Sequence, residues 1–445
     1  MGTVTETVAP PVKPLIAPAP AWRWVHVGVA ALAMVATLPG RTQGLGLFTE
    51  PILNEMRLDR ESYGLLNLCA TVLGSLFCLP CGWLIDRLGT RAMLTGVMIA
   101  LGTVVIAMSQ VQGAWPLPIN VAIPGGDATA FSAVLLVDLF LFILLSRGLG
   151  QSALSVASLS LIGRSAARRT GLAMGVYACL TSLGFVGAFT ILRFTVVPHP
   201  EQWREAWAGI GLGVVLAGVL SAVLVRNQYL DADAKHARDD TGHESSATLG
   251  RALLTPAFWT FSLATSFYGM VAAGIALYNQ SILAERGFNA EIFGNVTLIG
   301  IPVGLGSNLL CGWLATRWPL ERLLAAAMAV LAVTLLLFPY VRSEPVVYAY
   351  AASLAAAGGA ITVCFCTAWR RGFGPAHLGR IQGAAQMLTV LFSAFGQQLF
   401  ASVRVRLDSY LPLFPWLGAC AFALALASWP ARLPDRRFTR VSNGE

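Results

Sequence analysis

Charge is what this sequence has least of. Asp, Glu, Lys and Arg together fill 12% of 445 positions, against about 25% in soluble globular domains. So small a share cannot cover a water-facing surface, which excludes an ordinary soluble domain. Paired-cysteine spacing is also lacking. Cys69, Cys78, Cys81, Cys179, Cys311, Cys364, Cys366 and Cys420 are scattered, mostly inside apolar blocks, where free Cys behaves as a small hydrophobe. No disulfide framework and no zinc finger is expected. His199, His236, His243 and His377 fall in or beside loops and His26 near a helix start. No metal site or nucleophile–His–acid set results, so no metal, no cofactor and no enzyme activity are expected. The first 21 residues carry Pro10, Pro11, Pro14, Pro18 and Pro20 and lack the basic start, apolar core and cleavage site of a signal peptide. They read as a disordered cytoplasmic tail. The net charge is +8, yet the Arg residues sit between apolar blocks and form no basic face, so no nucleic-acid partner is expected.

What the sequence has in excess is apolar length. Hydrophobic residues make up 56% of the chain and fall in blocks of about 20, enough for a helix to cross a hydrocarbon core about 30 Å thick. Polar and Gly/Pro punctuation places twelve spans near 23–53, 61–85, 91–110, 131–163, 169–195, 203–226, 256–284, 291–315, 320–341, 345–369, 377–403 and 411–430. An even number puts both termini on one side. With that side cytoplasmic, inner loops and tails hold twenty Lys and Arg, outer loops seven, and three fall within spans, which satisfies the positive-inside rule. A plasma (inner) membrane protein with both termini cytoplasmic is the expectation. Two polar stretches form loops of substance, 111–130 outside and 227–255 inside. The expected divisions are a tail 1–21, an N-terminal six-helix bundle 22–226, a cytoplasmic linker 227–255, a C-terminal six-helix bundle 256–431 and a tail 432–445.

The two halves repeat. Cys81-Gly82-Trp83-Leu84 recurs as Cys311-Gly312-Trp313-Leu314, and the same shift of 311 − 81 = 230 aligns Ile52, Leu53 and Glu55 with Ile282, Leu283 and Glu285. Glu61, Gly64, Gly74 and Arg87 meet Glu291, Gly294, Gly304 and Arg317 at that register. A second echo, shifted by 379 − 171 = 208, pairs Gly150, Gly171 and Gly175 with Gly358, Gly379 and Gly383. Repeated halves mark secondary transporters, in which two bundles rock about a site held between them. The fold class expected is an all-α polytopic membrane protein, twelve transmembrane helices in two pseudo-symmetric six-helix bundles.

The run Gly82-Trp-Leu-Ile-Asp86-Arg87-Leu-Gly89-Thr90-Arg91 between spans 2 and 3 resembles the signature loop of the major facilitator superfamily, with Thr90 in place of a basic residue. The second copy keeps Gly312 and Arg317 and has Thr316 at the Asp position. The resemblance implies that Gly82, Asp86, Arg87, Gly89 and Arg91 serve gating. Physically, an Asp at a helix end can pair with a neighbouring helix terminus, and glycines allow a tight turn. The run Leu38-Pro39-Gly40-Arg41-Thr42-Gln43-Gly44-Leu45-Gly46-Leu47-Phe48-Thr49-Glu50-Pro51-Ile52 is similar to the first helix of bacterial proteins in the monocarboxylate and oxalate-formate branch, and the segment Leu283-Ala284-Glu285-Arg286-Gly287 also suits that branch. That branch often carries a binding cation in helix 8 or 11, and here those spans offer Ser307, Asn308, Gln382 and Gln386. Span 5 lacks the Gly-Pro motif of drug exporters.

An Arg near the bilayer centre costs at least about 2.5–3.5 kcal/mol, so it implies a partner, a watery cavity or a substrate. Arg41 lies in span 1 with Thr37 one turn below, and superfamily geometry lines the central cavity with helices 1, 4, 7 and 10. It is the first candidate for an anion ligand, with a buried structural pair or snorkelling to the interface left open. Arg147, Gln151, Ser155 and Ser158 form one stripe on span 4, for substrate contact or for bonding to span 1. Arg193 reads as interfacial. Tyr278 and Asn279 on span 7, and Gln382, Gln386, Thr389, Ser393 and Gln397 on span 11, are neutral donors that can orient an anion drawn in by Arg or pack between helices. The substrate-binding set is therefore Arg41, Arg147, Gln151, Tyr278, Asn279 and Gln386. Asp138 and Glu50 could carry a coupled proton if desolvation raised their pKa values, and exchange or facilitated diffusion stays open. The expected function is secondary active or facilitative transport of a small monocarboxylate-like organic anion by a monomer in the bilayer. Export of a neutral or cationic metabolite is the alternative, and a non-transporting receptor the third.

Overall fold

The computed structural model describes residues 20–46, 48–56, 60–110, 129–165, 170–196, 200–226 and 247–433. Residues 1–19 and 434–445 of the expected tails, the linker up to residue 246 and most of the loop 111–130 lie outside the described residues, and the first helix begins at Pro20, inside the expected tail. Ten described helices are long and apolar enough to cross a membrane, and two shorter apolar ones, Trp24–Gly40 and Leu413–Ser428, bring the number to twelve. In chain order the spans are α1 (beginning Pro20–Val35), α2 (Arg60–Ser75 and Cys78–Leu88), α3 (Thr90–Ser109), α4 (Thr129–Ser146 through Ser155–Ser165), α5 (Thr170–Val196) and α6 (Trp203–Leu224). The second half follows with α7 (Pro256–Glu285), α8 (Ala290–Leu314), α9 (Leu320–Leu337), α10 (Glu344–Phe373), α11 (Leu378–Leu407) and α12 (Leu413–Ser428). Outward-facing apolar side chains such as Leu212, Leu216, Val219, Leu220 and Val223 of α6 are exposed, a surface suited to hydrocarbon rather than water.

Packing repeats between the halves. α3 lies on α6 as α9 lies on α12, α1 on α5 as α7 on α11, and α2 on α4 as α8 on α10. The halves meet through α2 against α11 and α5 against α8, and the repeat explains both crossings. Gly82 and Gly312, matched by the first shift, each face the glycine pair matched by the second. A Cβ on Gly379 would lie 2.5 Å from the Gly82 carbonyl oxygen, and one on Gly171 would lie 2.6 Å from the Gly312 carbonyl oxygen. Gly383 and Gly175 extend the two contacts toward Cys78 and Asn308 at 2.5 and 2.8 Å. Without side chains the backbones touch, as small residues permit between membrane helices.

Three helices are interrupted where the sequence predicts continuous spans. α1 breaks into the 3-10 turn Leu38–Gly40 and resumes as Thr42–Gly46 and Thr49–Met56, because Pro39 lacks an N–H and its ring clashes with the preceding turn. α2 breaks at Leu76 and Phe77, one turn before Pro80, for the same reason. In α4 the eight residues Arg147–Leu154 wind as a π-helix, a rare geometry that occurs mostly at functional sites. Gly40 and Gly150 sit back to back there, a Cβ on Gly150 falling 3.0 Å from Gly40 Cα. The α1 break and the π segment are thus one crossing.

Gly89 joins α2 to α3 alone, at φ 88° and ψ 155°, a region that L side chains avoid. Gly96 in α3 has nothing within 4 Å of an added Cβ. Gly89→Ala is expected to lower stability by about 1–3 kcal/mol, and Gly96→Ala to raise it by about 0.5–1 kcal/mol. Thermal unfolding of both variants in detergent checks the opposite signs.

Candidate functional site

Asp86 ends α2 and reaches from the first half to the second. Its Oδ1 accepts from Arg164 Nη2 at the end of α4 (2.7 Å) and from the backbone N–H of Gly379 (3.1 Å), and its Oδ2 accepts from the N–H of Arg380 (3.2 Å). Arg380 Nε adds an ionic contact at 3.7 Å. The carboxylate is 4% exposed and caps the N-terminus of α11, where unpaired N–H groups and the helix dipole favour an anion. The ionic partners are Arg164 and Arg380, not Arg87 or Arg91. Arg87 lies over the Trp83 ring at 4.0 Å, and its repeat mate Arg317 lies over Trp313 at 4.1 Å, while Arg91 is exposed at the start of α3. In the second copy Thr316 turns its hydroxyl to the Trp313 carbonyl of its own helix, and Arg371 from α10 bonds the Ala315 carbonyl (2.5 Å). One crossing therefore holds a carboxylate paired with arginines, while at the other an arginine meets a backbone carbonyl. Arg370 also bonds the Gly163 carbonyl across the halves, so the Asp86 end of the molecule is shut.

Toward the opposite end the halves enclose a cavity of about 260 Å³. Arg147, at the first residue of the π segment, is 1% exposed and lines it with Thr42, Thr49, Tyr63, Asn67, Thr71, Tyr278, Gln397 and Gln398. Its Nη1 donates to Thr42 Oγ1 (2.9 Å) and Gln151 Oε1 (3.0 Å), with the Gly40 carbonyl at 3.5 Å, and its Nη2 donates to Asn67 Oδ1 (2.7 Å). Nε has no partner among the described residues. Among the described residues every group bonded to this guanidinium is neutral.

Arg41 lies on the other side of the Gly40–Gly150 crossing. It follows the 3-10 turn in extended conformation (φ −96°, ψ 152°) and turns back along α1. Nε donates to Thr37 Oγ1 (2.6 Å), and Nη2 reaches Met34 Sδ (3.0 Å) and Ser155 Oγ (3.4 Å). The Phe185 ring of α5 covers it at 5.1 Å. No carboxylate lies within ion-pair distance of Arg41 or Arg147 among the described residues.

The remaining expected ligands separate. Gln151 is held by Arg147, and Tyr278 lines the cavity and packs on Tyr410 at 5.6 Å. Asn279 and Gln386 do not line it. The span 11 stripe is divided along its length: Gln382 bonds Ser160, Thr389 meets Ser266 Oγ at 3.2 Å, and Gln397 alone reaches the cavity. Ser155 and Ser158 of the span 4 stripe turn to Met34 and to the Ala30 carbonyl of α1. The side chains of Arg193 and Glu50 lie outside the described residues. The Glu285-Arg286-Gly287 segment ties loops together, Arg286 holding the Val341 carbonyl (2.6 and 2.9 Å) and Glu285 the Tyr410 N–H (2.9 Å). Sequence reasoning missed Asn67, Tyr63 and Thr71, although their i, i+4, i+8 spacing on span 2 is itself a polar stripe. It also missed Arg164 and Arg380 as the partners of Asp86.

Two six-helix halves joined at glycine crossings, shut at one end and holding a buried cation beside a cavity at the other, define a multi-pass membrane transporter rather than an enzyme. The sequence matches the Major Facilitator Superfamily over residues 40–397, and the chain belongs to that superfamily. Solved structures share the fold. The proton:xylose symporter XylE bound to 6-bromo-6-deoxy-D-glucose is 15% identical with TM-score 0.69, covering 93% of this chain and 98% of that one. The human organic anion transporter MFSD10 is 17% identical with TM-score 0.62, covering 91% and 99%. The fucose:proton symporter of E. coli is 15% identical with TM-score 0.61, covering 92% and 98%. No match was found among curated proteins. The superfamily is shown, and the monocarboxylate and oxalate-formate branch is not singled out by these likenesses.

Asn67→Leu removes the acceptor of a charge-assisted bond in the bundle interior, which is expected to cost about 1–3 kcal/mol. Asn67→Asp supplies a counter-charge and is expected to retain stability. Thermal unfolding of the two variants checks the order.

Proposed function

We propose that this transporter carries a small, carboxylate-bearing organic anion by alternating access, as a monomer in the plasma membrane, with both termini and the Asp86 end cytoplasmic. The observation that carries this reading is the pair of intramembrane guanidiniums, Arg41 and Arg147, bonded to neutral groups alone among the described residues. Burying one such cation costs at least about 2.5–3.5 kcal/mol, and an anionic solute supplies the missing charge. Among the described residues the cavity lining carries a cation, Arg147, and no acidic side chain, which supports an anion over a cation. The distribution of Lys and Arg between the two sides supports the orientation.

The bundles 22–226 and 256–431 are the two moving bodies, and the present state is closed toward the cytoplasm. Gly82, Asp86 and Gly89 make the gate, while Arg87 and Arg91 hold its rim at the membrane interface, Arg87 against Trp83. Arg147 and Gln151 sit where an entering anion meets the first half, with Tyr278 facing them from the second. Arg41 takes the solute past the Gly40–Gly150 crossing, and Asn279 and Gln386 serve the opposite state. A neutral polar solute is the second reading, favoured by the engagement of Arg147 with Thr42, Gln151 and Asn67.

Flux in proteoliposomes tests the proposal. Uptake competed by small carboxylates, and reduced at least about tenfold by Arg41→Gln and by Arg147→Gln, is the expected result. A tenfold loss corresponds to about 1.4 kcal/mol of transition-state stabilisation. Unchanged carboxylate uptake in Arg41→Gln would remove Arg41 from the site. Competition by amines or sugars but not by carboxylates would replace the anion.

A further inference from the structure

We propose that Ser160 and Gln382 form a second, uncharged latch one helical turn deeper than Asp86, and that this pair together with the ionic one sets how long the Asp86 end stays shut. The inference rests on the alternating-access reading above. Ser160 lies four residues before Arg164 on α4, about 6 Å along the axis, and Gln382 follows Gly379 and Arg380 on α11. Ser160 Oγ donates to Gln382 Oε1 at 2.9 Å, and Gln382 Nε2 reaches the Leu159 carbonyl at 3.5 Å. Both residues are 0% exposed.

Three features make the pair a latch rather than ordinary packing. Its bonds run from the first half to the second, so they exist only while the halves meet at this end. The hydroxyl and both ends of the amide are engaged, so the interface holds the pair without an unpaired polar atom. Its surroundings are sealed by close packing at two glycines: a Cβ on Gly163 would lie 2.8 Å from the Leu378 side chain, and one on Gly383 would lie 2.5 Å from the Cys78 backbone carbonyl oxygen. When the halves part, water replaces each bond at little loss.

The two layers respond differently to conditions. Arg380 is 35% exposed, so salt screens part of the Asp86 layer. The Ser160–Gln382 layer carries no charge and lies out of water, so salt leaves it unchanged. A gate of two unlike layers stays shut when its ionic part is weakened. Ser160→Ala deprives Gln382 Oε1 of its donor in the shut state alone. That is expected to shift the ratio of shut to open molecules by roughly tenfold toward open. Gln382→Leu acts in the same direction, and Ser160→Thr, which keeps the hydroxyl, restores the original ratio.

Spin labels on Ala92→Cys and Thr316→Cys, both exposed at the Asp86 end, report the separation of the halves. The exposed Cys69 and Cys420 are replaced by Ser, and the protein is held in lipid nanodiscs. The expected result is two distance populations in the parent protein, a roughly tenfold gain of the longer one in Ser160→Ala and in Gln382→Leu, and reversion in Ser160→Thr. Raised salt adds to the shift in both variants and is lost in an Asp86→Asn background. Two populations that neither Ser160→Ala nor Gln382→Leu moves would overturn the latch and leave alternating access standing. A single distance in every variant, Asp86→Asn included, would overturn both.

Discussion

Two helix backbones can touch only where neither carries a side chain, and the two halves of this transporter depend on that constraint at both of their crossings. Gly82 against Gly379 and Gly312 against Gly171 bring α2 to α11 and α5 to α8 at backbone contact. At that range Asp86 reaches the first N–H groups of α11. A methyl group at Gly82 would push the helix ends apart and take the carboxylate out of hydrogen-bond range. Closure of this end in turn leaves the cavity between Arg147 and Tyr278 on the other side of the shut gate.

The scaffold is symmetric and its chemistry is not. Trp83 and Arg87 are mirrored by Trp313 and Arg317 down to the ring-to-guanidinium distance. Yet Asp86 has Thr316 as its counterpart, and the half-buried Arg41 and the buried Arg147 belong to the first half alone. That half holds the charge, while the second presents Tyr278, Gln397 and Gln398. A proline-broken α1 packed on a π-wound α4 is what admits two guanidiniums to one bundle. The irregular turns free carbonyl and hydroxyl groups such as the Gly40 carbonyl and Thr42 Oγ1 to accept from Arg147.

Much of this was legible in the sequence because it depends on pattern. Twelve apolar blocks give the spans, and the two shifts, 230 and 208, align the glycines that meet in space. Arg147 stood out because a charge in an apolar run is costly wherever its side chain turns. What pattern could not show was partnership across long chain separations. Asp86 and Arg380 are 294 residues apart, and no local periodicity links them. The π segment was hidden because one widened turn leaves the spacing of Arg147 and Gln151 unchanged. Arg41 was read on a continuous helix, whereas the break at Leu38–Gly40 turns its side chain back toward Met34 and Ser155, away from the cavity that Arg147 lines. Asn67 was legible only as one member of the short stripe Tyr63, Asn67 and Thr71, and nothing local ties that stripe to Arg147, 80 residues away.

The central claim is that two first-half guanidiniums, without a carboxylate partner among the described residues, bind an anion. Thermal unfolding of the purified protein against a panel of small carboxylates, amines and sugars tests it directly, since a solute that binds the native state raises its apparent stability. The account predicts that carboxylates raise the midpoint of the parent protein and not that of an Arg41→Gln, Arg147→Gln double variant. A midpoint raised by amines or sugars alone, or raised equally by carboxylates in the double variant, would contradict it.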